Sequence, residues 1–446
     1  MSNQHDPSAT EHFNKLIQFR QAAYRCFGTA RDAFFELGDA VLAMPAVQSF
    51  AELSCSQYFR REWSSLYEAL QDGRPDREQL VQLYSQELAG GERPILAGDH
   101  TAWPRVTAYT LRDRTVEHQP NPVPGGPPIT LGHGYSTLVW VPEKKGSWAL
   151  PLFHERIPSQ ETPFSQASAQ LRRVQSLLPK RVISLWDAEY GCAPFLQATA
   201  DIPADKIIRL RPNLRLFGPP PAVLRKGPGR PSVHGAKFKF KDPTTWWQPE
   251  VDFEMPNPDL GKIRIRIWHG LHFQKAAGCP FRLACVERLE SKGTRRLPKL
   301  IWLAWIGADP PDEKTWSQDY LRRYAVDHWY RFAKQRLHWT LPKFGTPEQG
   351  ERWSDLMPFL TWELWLARPI GIDKPLPWQK KLPELTPGRV CQGMGSILAV
   401  IGTPAQAPKR RGNAPGWPKG HPRQRRPRFE VVKKGKKLPQ LARITA

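Results

Sequence analysis

The chain has no apolar run approaching the roughly 18 residues that span a bilayer, and residues 1–10 are polar, without the apolar stretch of a secretory leader. Both absences lead to the expectation of a cytoplasmic protein with no membrane partner. Cysteine is sparse, with six in 446 residues and none in C-x-x-C spacing. That excludes a disulfide framework and the common zinc-binding patterns. One cluster, His269, His272, Cys279 and Cys285, gathers four metal-binding side chains within seventeen residues. Its spacing matches no common zinc site, and alternation along strands would keep the side chains from converging. Acid is the other shortage, and it is local. Residues 205–241 carry ten Lys or Arg against Asp205 alone, and residues 405–446 carry thirteen against Glu430 alone. These two stretches contribute +9 and +12 of a formal net charge of +23, so the rest of the chain is close to neutral. Two basic segments on a neutral body attract polyanions, of which nucleic acid is the commonest.

What is present defines a folded body. Hydrophobic residues make up 40% and aromatics 11%, which a chain disordered throughout would lack. Proline, at 46 residues, is about twice its usual share, and there are 18 Trp. The length suggests about two or three domains.

Residues 10–90 have helical spacing, as in Phe13, Leu16, Ile17 and Phe34, Phe35, Leu37, Val41. They predict an N-terminal helical domain over 1–90 that binds DNA or mediates dimerisation. From residue 91 the pattern changes. A short apolar run at 94–97 ends at Gly98-Asp99-His100-Thr101. Strand candidates follow at 135–141 and 147–157, a helix at 164–178, a strand at 181–186 ending at Asp187, and a strand at 206–210. This order suits an α/β domain with carboxylates at strand ends. Residues 212–298 interrupt it as a β-rich insertion with a basic loop. Ile263, Ile265 and Ile267 alternate there with Arg264, Arg266 and Trp268. A strand at 300–306 and helices at 316–339 and 348–367 complete a domain spanning 91–370. Residues 371–446 read as a Pro-rich, basic and largely disordered tail.

Asp99 and Asp187 each close an apolar run, where two neighbouring carboxylates bind a hard divalent cation well. Taken singly, each also suits an ordinary turn or cap. In the helix predicted over 316–339, Tyr320, Arg323, Asp327, Arg331 and Lys334 fall within about 80° of arc at about 100° per residue. The stripe sets one carboxylate among three cations and a phenol. It fits a metal ligand flanked by phosphate contacts, and also a solvated ion-pair stripe.

The spacing Tyr320-x2-Arg323-x3-Asp327-x6-Lys334 resembles the YREK signature of one group of bacterial insertion-sequence transposases of the DDE superfamily, with Asp in place of the signature's Glu. Asp187-Ala188-Glu189-Tyr190-Gly191 resembles the second-acid motif of that family. The resemblance covers residues 90–368 and implies a ribonuclease-H-like catalytic fold. In that fold Asp99, Asp187 and Asp327 would be the catalytic and metal-binding acids, holding two Mg²⁺ ions, with Mn²⁺ as a substitute. It implies a transposase that cuts and joins double-stranded DNA at terminal inverted repeats and target DNA, in the bacterial cytoplasm and nucleoid. A homodimer is expected because two DNA ends must be joined. Tyr320, Arg323, Arg331 and Lys334 would contact DNA, as would Arg225, Lys226 and Arg230 of the basic loop. Related transposases stack an inserted Trp on a flipped base, a role open to Trp246 and Trp247 alongside simple core packing. Asp327 is one methylene shorter than Glu, so a decayed, non-catalytic DNA-binding protein is the alternative reading. Glu351 and Glu363 are the fallback third acids.

Overall fold

The computed structural model describes residues 7–88, 93–119, 127–220, 232–290, 299–308, 310–409, 420, 422 and 425–434. Arg225, Lys226 and Arg230 lie outside them. Four helices come first: α1 (Pro7–Cys26), α2 (Arg31–Ala43), α3 (Ser64–Asp72) and α4 (Arg77–Gln86). Then follow β1 (Ile95–Pro104), β2 (Thr115–His118), β3 (Ile129–Trp140), β4 (Leu150–Ile157), α5 (Pro163–Leu177), β5 (Ile183–Trp186), α6 (Ala193–Ala198) and β6 (Asp205–Leu210). The basic stretch contributes β7 (Arg215–Phe217) and β8 (Lys237–Lys239). After it come β9 (Val251–Asn257), β10 (Gly261–Leu271), β11 (Phe281–Arg288) and β12 (Leu300–Ile306). The described chain closes with α7 (Trp316–Leu321), α8 (Tyr324–Gln335), α9 (Pro347–Ala367) and α10 (Pro387–Ile401).

One ten-stranded sheet organises these elements, in the order β2-β3-β1-β5-β6-β12-β11-β10-β9, with β4 also paired to β3. Strands β1, β3 and β4 pair antiparallel, whereas β5 and β6 run parallel to β1. Helix α5 supplies the crossover from β4 to β5. Pro163 occupies its first turn, and Thr162 and Ser165 cap it reciprocally. The stretch expected as a β-rich insertion extends this sheet: β12 pairs antiparallel with β6, and β11, β10 and β9 follow outward. The alternation of Ile263, Ile265 and Ile267 is the buried face of β10.

Helix α9 is the internal axis. It is buried almost all round, with only Glu348, Gln349, Glu351, Arg352 and Trp365 partly exposed. One side packs on β4, and α1, α3 and α10 pack on the rest. The N-terminal helices and α9 therefore share one continuous apolar core with the sheet. Helix α10, held against α2 and α9, lies within the stretch read as a disordered tail, and corrects that reading for residues 387–401. Residues 425–434 are ordered as well. Val432 bridges Thr115 of β2 in parallel, its N–H donating to the Arg114 carbonyl at 2.8 Å, and Lys434 pairs with buried Glu117 at 2.6 Å.

Two further expectations change. β1 does not stop at Ala97 but runs to Pro104, so Asp99 is a mid-strand residue rather than a strand end. The helix expected over 316–339 is broken. Between α7 and α8 the amides of Arg322, Arg323, Ala325 and Val326 donate to carbonyls three residues back, a 3₁₀-like tightening. Each such residue turns about 120° rather than 100°, so the arc reckoned for one unbroken α-helix does not hold across the junction.

Gly98 lets β1 and β5 sit together. A methyl group there would overlap the Trp186 ring deep inside van der Waals contact. Gly98→Ala is expected to cost about 1–3 kcal/mol through overpacking. It should also spread β1 from β5, and thermal unfolding registers the loss.

Candidate functional site

The site begins with strand register. The last paired residues of β1 and β5 are Gly98 and Trp186. One residue past this last pair come Asp99 and Asp187, near enough that the charge of Asp187 acts on Asp99. Asp187 opens the turn after β5, where its Oδ1 accepts from the Glu189 amide at 2.9 Å. Asp99 Oδ1 accepts from the His100 amide at 2.8 Å, which leaves Oδ2 directed elsewhere.

Helix α8 packs against β1 and brings in the third acid. Arg323 joins the two elements. Its guanidinium reaches Asp99 Oδ2 at 3.3 Å through one terminal nitrogen and Asp327 Oδ2 at 3.4 Å through the other. The Asp99 side chain is 14% exposed and that of Asp327 46%. The acid on the helix is therefore the more open of the two to solvent. Lys334, two turns on, donates to Thr101 Oγ1 at 2.9 Å, on the same face of β1 as Asp99. Arg331 is exposed. Tyr320 is buried beneath Arg323, and its hydroxyl has no hydrogen-bond partner among the described residues.

The electrostatics follow from this crowding. Burial pushes Asp99 up to about 7, Arg323 opposes the rise, and the nearby charges of Asp187 and Asp327 add to it. Burial works against the charge of Arg323, but Tyr320, Asp99, Asp327 and Asp187 outweigh it and hold the guanidinium firmly protonated. Burial lowers the Lys334 ammonium, and Asp99 partly restores it. On the neighbouring face, His100 contacts Tyr190 Oη through Nδ1 at 3.1 Å and Glu189 through Nε2 at 3.2 Å. Burial depresses this imidazole. Sequence reasoning named Glu189 and Tyr190 only as parts of a motif. Their joint hold on His100 depends on the β1–β5 pairing, which no local pattern announces.

The structure thus brings Asp99, Asp187, Asp327, Arg323 and Lys334 together. It does not bring in the fallback acids, because Glu363 is paired with Arg20 and Glu351 with Arg156. Trp246 and Trp247 are half-buried in an aromatic cluster. The Trp246 ring is stacked on Phe238 at 6.0 Å with Arg266 lying over it, and Trp247 meets Phe238 edge-on at 5.2 Å. His272 is turned to His234 at 3.0 Å, and Cys285 is buried beside Arg266.

Whether the acids suit a divalent cation can be judged on their donors and on Arg323. All three offer carboxylate oxygen, the donor that hard cations prefer. Two of them already share a positive group, which stands where a cation would be attracted. Among the described residues, however, no group of three or more His, Cys, Asp or Glu is gathered closely enough to hold a metal ion as it stands. The set fits such an ion in kind, with Arg323 in its way.

A mixed α/β sheet with antiparallel β4-β3-β1 followed by parallel β5 and β6 is consistent with a ribonuclease-H-like nuclease domain. The family model described as DDE superfamily endonuclease matches residues 23–272, more than half of the chain, and the chain belongs to that family. Membership implies a divalent-metal-dependent nuclease with DNA as its substrate. The matched stretch takes in Asp99 and Asp187 and ends before Asp327. No curated protein matches the chain. Among the described residues no helix is long and apolar enough to cross a membrane.

Proposed function

We propose that the protein is a transposase that cleaves the ends of an insertion sequence and joins them to target DNA, acting as a homodimer in the bacterial nucleoid. The observation that carries the reading is the meeting of Asp99, on the central strand, with Asp327, on α8, at one guanidinium, with Asp187, just past the last β1–β5 pair, close enough for its charge to act on Asp99. Asp99, Asp187 and Asp327 would hold two Mg²⁺ ions, or Mn²⁺ in their place. Bound there, the metal would make a water or a DNA 3′-hydroxyl nucleophilic and steady the leaving oxygen. The protein's own part is positioning. The β1–β5 pair fixes two carboxylates, Lys334 is anchored on Thr101 beside them, and exposed Arg331 continues the positive stripe along α8. These cations offset phosphate charge on the DNA end. The helices of residues 1–90 would read the terminal repeat or hold the dimer together.

A second reading, a DNA-binding protein that no longer cuts, is favoured by the shorter arm of Asp327 and by the absence of a gathered ligand triad among the described residues. One experiment separates the two. Purified full-length protein is incubated with Mg²⁺ and DNA carrying the sequences that flank its own gene. The transposase reading expects strand cleavage that Asp187→Asn abolishes. Cleavage absent from the wild type but gained by Asp327→Glu would establish the second reading instead.

A further inference from the structure

Arg323 is held in an unusual way. Its two ion contacts, at 3.3 and 3.4 Å, are longer than the roughly 2.7–2.9 Å of a well-made charge-assisted hydrogen bond. Neither carboxylate takes it side-on, although the guanidinium fork suits such pairing. Its Nε is buried with no partner among the described residues, as is the Tyr320 hydroxyl near it. Unpaired buried donors of this kind cost free energy. The residue also sits at the tightened junction of α7 and α8, as the residue capping α8, so a small change at that junction re-aims it.

An outward resting place lies close by. The guanidinium already stands over the ring of Tyr324 at 5.3 Å. Tyr324 lines a cavity of about 380 Å³ between α7–α8 and the turn after β3, together with Lys144, Lys145 and His328. Lys144 and Lys145 are exposed. The same lining includes two acids, Glu143, which is paired with Arg368, and Asp259. A phosphate chain gripped there by Lys144 and Lys145 would draw Arg323 out of the acidic cluster.

We propose that Arg323 is a resident counter-ion that occupies the cation position between Asp99 and Asp327, and that a DNA phosphate removes it, so that DNA binding opens the site to the metal. The inference rests on the reading of Asp99, Asp187 and Asp327 as metal ligands. In the DNA-free protein one cation is already spent on two of the three carboxylates, so an incoming divalent ion must displace it. With phosphate bound, Arg323 gains a better partner and the carboxylates are freed. The two ligands therefore favour each other, and by linkage the metal favours DNA by the same factor. The arrangement also discourages metal-activated chemistry in the absence of DNA.

The test is calorimetric binding of Ca²⁺ to the full chain, with and without a short blunt DNA duplex. Wild type should bind Ca²⁺ weakly alone and about tenfold more tightly with the duplex, within the usual range for coupled sites. Arg323→Gln should bind Ca²⁺ tightly without the duplex, and the duplex should add little. Melting in chelator checks that the variant is folded. Should Arg323→Gln fail to fold, Arg323→Lys, which cannot span both acids, is expected to fall between the two. A replacement that binds Ca²⁺ no tighter than wild type overturns the proposal, as does a duplex effect that persists in Arg323→Gln. Asp99→Asn tells the two failures apart. If it abolishes Ca²⁺ binding while Arg323→Gln changes nothing, only the counter-ion role falls. If it leaves Ca²⁺ binding intact, the ligand assignment falls and takes the proposal with it.

Discussion

Asp99→Asn should abolish DNA cleavage and, in chelator at pH 8, melt at a higher temperature than the wild type. The two effects have one origin. Burial raises Asp99 from an ordinary 3.8 to about 7, even with Arg323 opposing. A carboxyl whose folded pKa exceeds its unfolded one contributes stability that is fully present below about pH 4 and is lost as pH climbs through 7. At pH 8 the ionised group disfavours folding by a few kcal/mol, since each pKa unit is worth about 1.4 kcal/mol. Asn keeps an acceptor for the His100 amide and cannot ionise, so the disadvantage disappears. The gain in melting temperature should therefore shrink to nothing by pH 4. Activity moves the other way. Losing several kcal/mol of transition-state stabilisation corresponds to roughly a thousandfold in rate. Cleavage at a wild-type rate would remove Asp99 from the catalytic assignment. An Asn variant that melts lower at pH 8 would mean that the lost Arg323 contact outweighs the relief of burial.

Arg20→Leu should destabilise the fold by about 3–5 kcal/mol, the usual cost of stripping one partner from a buried ion cluster. Arg20 of α1 is 2% exposed. It takes Asp39 of α2 in a two-point pair at 2.8 and 3.0 Å, is paired with Glu363 of α9, and donates to the Gly402 carbonyl beyond α10 at 3.1 Å. Four elements from distant parts of the chain meet at this guanidinium. Without it two carboxylates share an apolar interior. Burial already holds Glu363 up at about 7, so its share of stability is complete below about 4.5 and is lost as pH rises through 7. The loss in Arg20→Leu should therefore be smallest near pH 5 and largest above pH 8, as read by denaturant unfolding. Adding Asp39→Asn and Glu363→Gln to the same chain should recover most of it, because a matched apolar or neutral set avoids the stranded charges. A variant equally unstable at every pH would show that packing of the Arg20 stem, rather than charge, is what counts.

These residues also mark what could be read from sequence. The acid–cation stripe was legible because Asp327 and Lys334 obey helical spacing within one element. Its placement was only partly so, because the 3₁₀-like junction at Arg322 and Arg323 follows from packing and no local residue announces it. Asp187 was legible as the end of an apolar run. Asp99 is expected at the end of a strand but lies within one: the missing side chain of Gly98 makes room for Trp186 and lets β1 continue. The strands of residues 251–288 were visible in the Ile263–Ile265–Ile267 alternation. That they extend the main sheet was not, since pairing partners far apart in sequence leave no periodic trace. Helix α10 was hidden by its Pro-rich flanks. Arg20, an unremarkable cation on an amphipathic helix, gave no sign that Asp39 and Glu363 would converge on it.

The segment along β2 has a consequence in time. Lys434 meets Glu117 across 317 residues of chain. At about 5–20 residues per second, a ribosome needs roughly 15–60 s to make that stretch. Throughout this interval the outer edge of β2 lacks the neighbour that Val432 gives it among the described residues, and a bare strand edge is a template for pairing with any other. On a crowded polysome, the nearest bare edge belongs to another unfinished copy. Slowing translation late in the message should therefore lower the yield of soluble protein more than slowing it early.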